Sequence, residues 1–169
     1  AAYNVGASSP EEYGGYYAWG ETEEKKNYDF DSYIFYNSST GEYDITVEEI
    51  SGTSYDVAHV KWGDGARLPT VEELEELTIN CTFRCDTYNG VPGGYVTGPN
   101  GNSIFLPFAG GYFYGYRDFL GYHGYFWSGT FYDVHIGGNA CCLCCDGDYG
   151  YWFDSACVYG RSVRPVKDK

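Results

Sequence analysis

Apolar and polar positions divide the chain into two textures. Around positions 70–80, Val71, Leu74 and Leu77 recur at helical spacing, while Glu72, Glu73, Glu75 and Glu76 take the other faces. Thr70-Val71-Glu72-Glu73 has the form of a capping box: the Thr70 hydroxyl can accept from the third backbone N–H and Glu73 can reach back. The four carboxylates also crowd the positive end of the helix dipole. Together these features predict an amphipathic helix over about 70–80. A shorter helix is predicted to start near Tyr55-Asp56, with Val57, Ala58 and Val60 facing inward, and to end at Gly63-Asp64-Gly65.

After Cys85 the helical period gives way to short aromatic runs punctuated by Gly, Asn, Asp and Pro. Residues 94–97, 98–102 and 103–107 read as strand, turn, strand. Further strands are predicted at 122–128, 140–145, 149–153 and 162–166. Two helices followed by many short strands indicate an α+β domain, and 169 residues fit a single domain over 1–169.

Composition adds function classes that can be excluded. A net charge of −14, from 24 acidic against 10 basic side chains, presents an unfavourable field to any phosphate backbone, so nucleic acid is not an expected partner. The longest mainly apolar run, 104–109, is interrupted by Pro107 and falls far short of the ~20 residues of a spanning helix, so no membrane-spanning segment is expected. The 20 Tyr, 10 Phe and 4 Trp make up nearly half of the hydrophobic residues, beside 24 Gly. The charge is also segregated. Every Glu lies at or before Glu76, and apart from Lys167 and Lys169 the last Lys is Lys61; between Cys85 and Val166 only Asp and Arg remain, without Glu, Lys, Gln or Met. Lys and Glu are ordinarily among the commonest residues, so their loss beside retained Asp and Arg is not a simple polarity effect.

Candidate chemistry is sparse. Cys141-Cys142-Leu143-Cys144-Cys145 contains thiolates at zinc-like spacing, but an extended strand sends Cys142 and Cys144 to one face and Cys141 and Cys145 to the other. Small apolar side chains on a strand are the favoured reading. His59, His123 and His135 have no nucleophile motif beside them, and Asp146-Gly147-Asp148, with Asp64, does not complete a calcium loop. Cys81 and Cys85 suit either a local disulfide or two free thiols. No catalytic residue, metal or cofactor is expected. The stronger signal is the Tyr- and Gly-rich composition of 112–116 and 122–126, since Tyr offers rigid contact area with a polar tip.

Tyr16-Tyr17-Ala18-Trp19-Gly20-Glu21-Thr22, the stretch 56–67 followed by Leu68-Pro69-Thr70, the strand pair 94–107, Tyr125-Phe126-Trp127-Ser128 and the closing Gly160-Arg161-Ser162-Val163-Arg164-Pro165-Val166 resemble, in that order, the major-paralogous-domain proteins of Bacteroidetes. The resemblance implies a C-type-lectin-like fold related to the formylglycine-generating enzymes, with two helices flanking small twisted antiparallel sheets and many loops. It also implies export to the cell surface, with a lipid anchor upstream of Ala1. Asn4-Val5-Gly6-Ala7 resembles the end of the family's opening strand, so a little of the N-terminus is expected to be missing.

The family usually carries rings where this chain has Cys141, Cys142, Cys144 and Cys145, and a Tyr-rich run where it has Phe153-Asp154-Ser155-Ala156-Cys157-Val158. That departure resembles the variable proteins of diversity-generating retroelements, which use the same fold and whose C-terminal codons are rewritten by adenine-directed mutagenesis. A randomised AAC or AAT codon can yield Asp and Arg but not Glu, Lys, Gln, Met or Trp, which, apart from Trp127 and Trp152, is the alphabet found here. The resemblance implies a hypervariable ligand-binding region within about 112–161, on a cell surface or a phage particle, facing a protein or glycan ligand. Its expected positions are Tyr116, Arg117, Asp118, Phe119, Leu120, Tyr122 and His123 in one segment. The second segment supplies Asp133, His135, Asn139, Cys142, Cys144, Asp146, Asp148, Tyr149, Phe153, Asp154, Ser155, Cys157, Val158 and Arg161. Trp127 and Trp152 would be framework, and replacing Asp133, His135, Cys142, Asp154 or Val158 should leave the melting temperature nearly unchanged. The alternatives are a constant adhesin or fimbrial-type subunit of the same fold and, more remotely, an oxidase resembling the formylglycine-generating enzymes with copper on the Cys cluster.

Overall fold

The computed structural model describes residues 1–63, 65–133 and 138–167, the side chain of Asp133 excepted. It is a mixed fold of small antiparallel sheets with two α-helices, α1 (Val57–Trp62) and α2 (Val71–Asn80). The strands are β1 (Tyr36–Asn37), β2 (Glu42–Tyr43), β3 (Ala66–Arg67), β4 (Thr82–Tyr88), β5 (Val91–Thr97), β6 (Ser103–Pro107), β7 (Gly111–Phe113), β8 (Tyr116–Asp118), β9 (His123–Asp133), β10 (Asn139–Asp146), β11 (Tyr149–Ala156) and β12 (Val166–Lys167). Two three-stranded sheets, ordered β4-β5-β6 and β11-β10-β9, are accompanied by the ribbons β1-β2, β3-β12 and β7-β8.

Both helices start where their capping residues direct. Thr70 Oγ1 accepts from the Glu73 amide at 3.4 Å and the Thr70 amide donates to Glu73 Oε2 at 2.9 Å, closing the capping box of α2. Asp56 caps α1 by accepting from the Ala58 and His59 amides. Its second oxygen accepts from Gly52 and Leu68, so this buried carboxylate ties three backbone segments together. Val60 departs from expectation and is 49% exposed. With six residues α1 buries one narrow face, and Val57 and Ala58 fill it.

β4 was not expected from sequence. As the edge of its sheet it is exposed at nearly every position, so no apolar alternation marks it. Instead of the expected continuous strand over 162–166, only Ser162 forms an isolated bridge, to Phe126, and pairing resumes at β12. Pro165 has no N–H to give a ladder.

The β9-β10-β11 sheet separates two cores. On one face Tyr125, Trp127, Cys142 and Cys144 pack with Tyr16, Tyr17, Trp19, Tyr33, Ile50 and Val163. On the other, Phe126, Leu143 and Cys145 pack with Leu74 of α2, with Val96 and Leu106 of the second sheet and with Phe108 just after β6. β10 is the central strand and is buried on both sides, with every residue from Cys141 to Cys145 at 2% exposure or less. That double burial accounts for a continuous apolar run where alternation would be expected of a half-buried strand. The sheets meet closely at Gly150, where an added Cβ would collide with the Phe83 ring of β4.

Candidate binding face

Register arranges the Trp127-bearing face of this sheet in rows. His123, Asp146 and Tyr149 form one; Tyr125, Cys144 and Tyr151 the next; Trp127, Cys142 and Phe153 the third. Exposure falls along that series. Tyr149 is 75% exposed and Tyr151 47%, whereas Trp127 and Cys142 are sealed.

The open end is an aromatic surface with a hydrogen-bonded centre. His123 Nδ1 lies 2.9 Å from the Tyr125 hydroxyl, and its Nε2 lies 3.6 Å from Asp146 Oδ1. Phe119 stacks on the His123 ring with centroids 4.8 Å apart. Phe119 has φ of 61°, so a left-handed backbone turn aims this ring. Tyr116, Leu120 and Tyr122 flank it, all exposed. Arg117 is exposed but tethered: its guanidinium donates to the Tyr16 hydroxyl and lies over the Tyr13 and Tyr16 rings. Asp148 Oδ1 accepts from the Cys85 amide at 2.6 Å, linking the β10-β11 turn to β4. Exposed rings on a fixed frame provide contact area at low ordering cost.

The closed end is organised around Arg161, 2% exposed. Its Nε and Nη2 donate to Ser155 Oγ at 3.1 and 2.6 Å, and its guanidinium lies 4.3–5.8 Å from the ring centroids of Phe113, Tyr125, Trp127, Phe153 and Tyr159. Nη1 has no partner. Ring faces carry negative charge density, so this cage offsets part of the cost of burying the cation. Cys142 and Cys144 are small enough to leave room for the guanidinium beside the rings of β9 and β11. Burial pushes the Cys142 thiol up to about 12, against the smaller opposing pull of Arg161, and also raises Cys144.

The expected site residues therefore divide. Tyr116, Asp118, Phe119, Leu120, Tyr122, His123, Asp146 and Tyr149 meet or border the open end, with Arg117 and Asp148 at its margin, whereas Phe153 stands in the closed row. Cys142, Cys144, Ser155, Cys157, Val158 and Arg161 do not: all are buried, so none can touch a ligand without opening the core. Cys157 and Val158 turn inward because the chain there crosses beneath the N-terminal segment, where the Cys157 carbonyl accepts from the Trp19 amide at 2.9 Å. Asp154 alternates onto the opposite sheet face from Tyr151 and Phe153 and accepts from Asn139 Nδ2 at 2.7 Å. His135 lies outside the described residues, as does Asp64; Asp133 is placed only as the end of β9.

Sequence reasoning did not single out Tyr132 and Tyr151, both exposed, whereas exposed Tyr114 falls in the tyrosine-rich segment 112–116. A period of two counted from Tyr149 would have found Tyr151. Its phenol pKa is raised, first by hydrogen bonding with Cys144 and then by burial.

Among the described residues no three His, Cys, Asp or Glu side chains converge as a metal site. Cys81 and Cys85 are free. With Cys81 already extended at the start of β4, four residues of strand separate them by roughly 13 Å, beyond disulfide reach. No helix among the described residues is long and apolar enough to cross a membrane. No family model matches the chain, and neither a curated protein nor a solved structure is significantly similar to it.

Proposed function

We propose that the protein is a non-catalytic ligand-binding protein of C-type-lectin-like fold, acting in adhesion or reception at a cell surface or on a phage particle. The open end of the β9-β10-β11 face, with the loop 119–122 and the β7-β8 ribbon, is its binding surface. The observation carrying this reading is the exposed set Tyr116, Phe119, Leu120, Tyr122, Tyr149 and Tyr151 over a buried frame, with Phe119 stacked on His123, Tyr149 in the His123 row and Tyr151 in the next. Large exposed apolar patches on soluble domains mark interaction sites, and tyrosine-rich ones suit protein or glycan ligands. We further propose that adenine-directed mutagenesis diversifies this surface. The restricted alphabet after Cys85 supports that step, and the exposed positions of 116–123 and 146–151 could vary without disturbing a core.

A second reading, a constant adhesin or fimbrial-type subunit, is favoured by the burial of Cys142, Cys144, Ser155, Cys157, Val158 and Arg161. Randomising sealed positions would produce many unfolded variants. Sequencing the genomic neighbourhood separates the two. Diversification requires a near-copy of the DNA encoding 116–161, beside a reverse-transcriptase gene and differing from it only at adenines. Sister genes that differ at all four bases equally would leave the constant adhesin.

A further inference from the structure

Away from the tyrosine surface, a cavity of about 270 Å³ opens between the Trp19-Gly20 segment, the chain after β2 and the turn before α1. None of the binding-face residues lines it. Phe35 and Tyr55 form one corner, their centroids 5.4 Å apart and their planes at 69°. Trp19 also lines it, its indole Nε1 already committed to the Ser128 carbonyl at 3.0 Å. Gly20, at φ of 78°, allows the Phe35 ring to lie against the backbone, where a Cβ would stand 2.9 Å from it. Ile45 and Ile50 complete the apolar wall.

The one carboxylate among the described residues lining this cavity is that of Asp44. Its amide donates to the Phe35 carbonyl at 2.8 Å, which fixes it beside the aromatic corner. Its carboxylate is exposed, and among the described residues no cationic side chain pairs with it. Aromatic faces beside an unneutralised carboxylate attract a cation through the ring quadrupole and the full charge together. The net charge of −14 adds to the same field. The volume lies just under the ~300–1,000 Å³ of drug-sized pockets, which suits a single head group.

We propose that this cavity is a second binding site, for an alkylammonium head group. The ammonium faces Asp44 and its methyl or methylene groups lie against Phe35, Tyr55 and Trp19. The group could belong to a quaternary amine or to a protein lysine, and both sources can be tested on the whole chain.

The test is NMR titration with choline, with its neutral isostere 3,3-dimethyl-1-butanol, and with N-acetyl-lysine methylamide. Saturable shifts at residues 44–47 and the Trp19 indole are expected with at least one cation. The isostere should bind at least about tenfold more weakly. Tighter binding of choline assigns the site to a quaternary amine, and tighter binding of the lysine derivative to a protein lysine. Asp44→Asn removes a charge that bonds to nothing in the fold and should weaken the cation about fivefold or more. Tyr149→Ala, on the other surface, should leave it unchanged. The proposal fails if neither cation saturates the site, if the isostere binds as well as the cations, or if the shifts map to the tyrosine surface.

Discussion

The two ends of one sheet face differ in everything except their backbone. At the closed end, Trp127, Cys142 and Phe153 stand in a row beneath the N-terminal segment and the Arg161 guanidinium. At the open end, His123, Asp146 and Tyr149 stand in a row with only Phe119 stacked beside them. Strands, register and side of the sheet are the same, so what packs above each row decides whether its residues belong to the core or to the surface. The restricted alphabet runs across both ends. Composition can therefore mark the sheet but cannot say which half of it meets a ligand.

The largest effect should come from the closed end. Trp127 is 1% exposed and its indole Nε1 donates to the Tyr17 carbonyl at 2.8 Å. Trp127→Ala should lower stability by about 3–5 kcal/mol. For a chain of this size that is a fall in Tm of at least about 6 °C, by calorimetry or thermal circular dichroism. A loss below about 1 kcal/mol would mean the end is not closed in solution.

Next comes Cys142→Tyr, which puts a ring in place of the thiol in that row. The tyrosine would have to displace the Arg161 guanidinium or a ring of its cage, so overpacking should cost about 1–3 kcal/mol by chemical denaturation. The same argument overturns the expectation that Cys142 and Val158 could be replaced at little cost, since both are fully buried. If Cys142→Tyr is as stable as the parent, diversification could extend to the closed end and the contrast between the two ends would collapse.

Much of this architecture was legible in the sequence, and the failures have physical causes. Helix α2 declared itself because its cap, its first-turn charge and its period agree. Strands β9 and β11 were marked by aromatic runs, and β10 by its run of Cys and Leu, between turn residues. Edge strand β4 has no buried face to impose alternation, so nothing in 82–88 announced it. Burial was the least legible property. Cys142 and Cys144 carry no size or charge that tells a sealed strand from an open one, and the cage enclosing Arg161 is assembled from β7, β9, β11 and the segment after β11.

Alkali should weaken the closed end more gradually. Burial holds the Cys141 and Cys142 thiols at about 12, against an ordinary value of 9.0. Between those values the unfolded chain releases protons that the native state keeps. The unfolded state then binds fewer protons, and stability falls as pH rises. Each such thiol contributes a loss of up to about 1.4 kcal/mol per pH unit above 9, and none well below it. Tm measured from pH 8 to 10.5 should decline, and Cys142→Ala should flatten the decline. An identical slope in that variant would show that the thiol is not sealed.

The smallest effect on stability, and the largest on binding, belongs to the open end. Tyr122 and Tyr149 are 74% and 75% exposed, and neither ring packs against another aromatic. Truncation leaves no cavity and no orphaned buried group, so Tyr122→Ala and Tyr149→Ala should each change stability by no more than about 0.5 kcal/mol. Loss of an anchoring tyrosine from an interface typically costs about 2 kcal/mol or more, roughly a thirtyfold weakening of the captured ligand. A double variant that keeps its Tm and loses binding would place recognition at this end of the face. One that keeps both would move the ligand elsewhere. One that loses Tm would show that the open row is covered in solution, and the distinction between a sealed half and a displayed half would have to be redrawn.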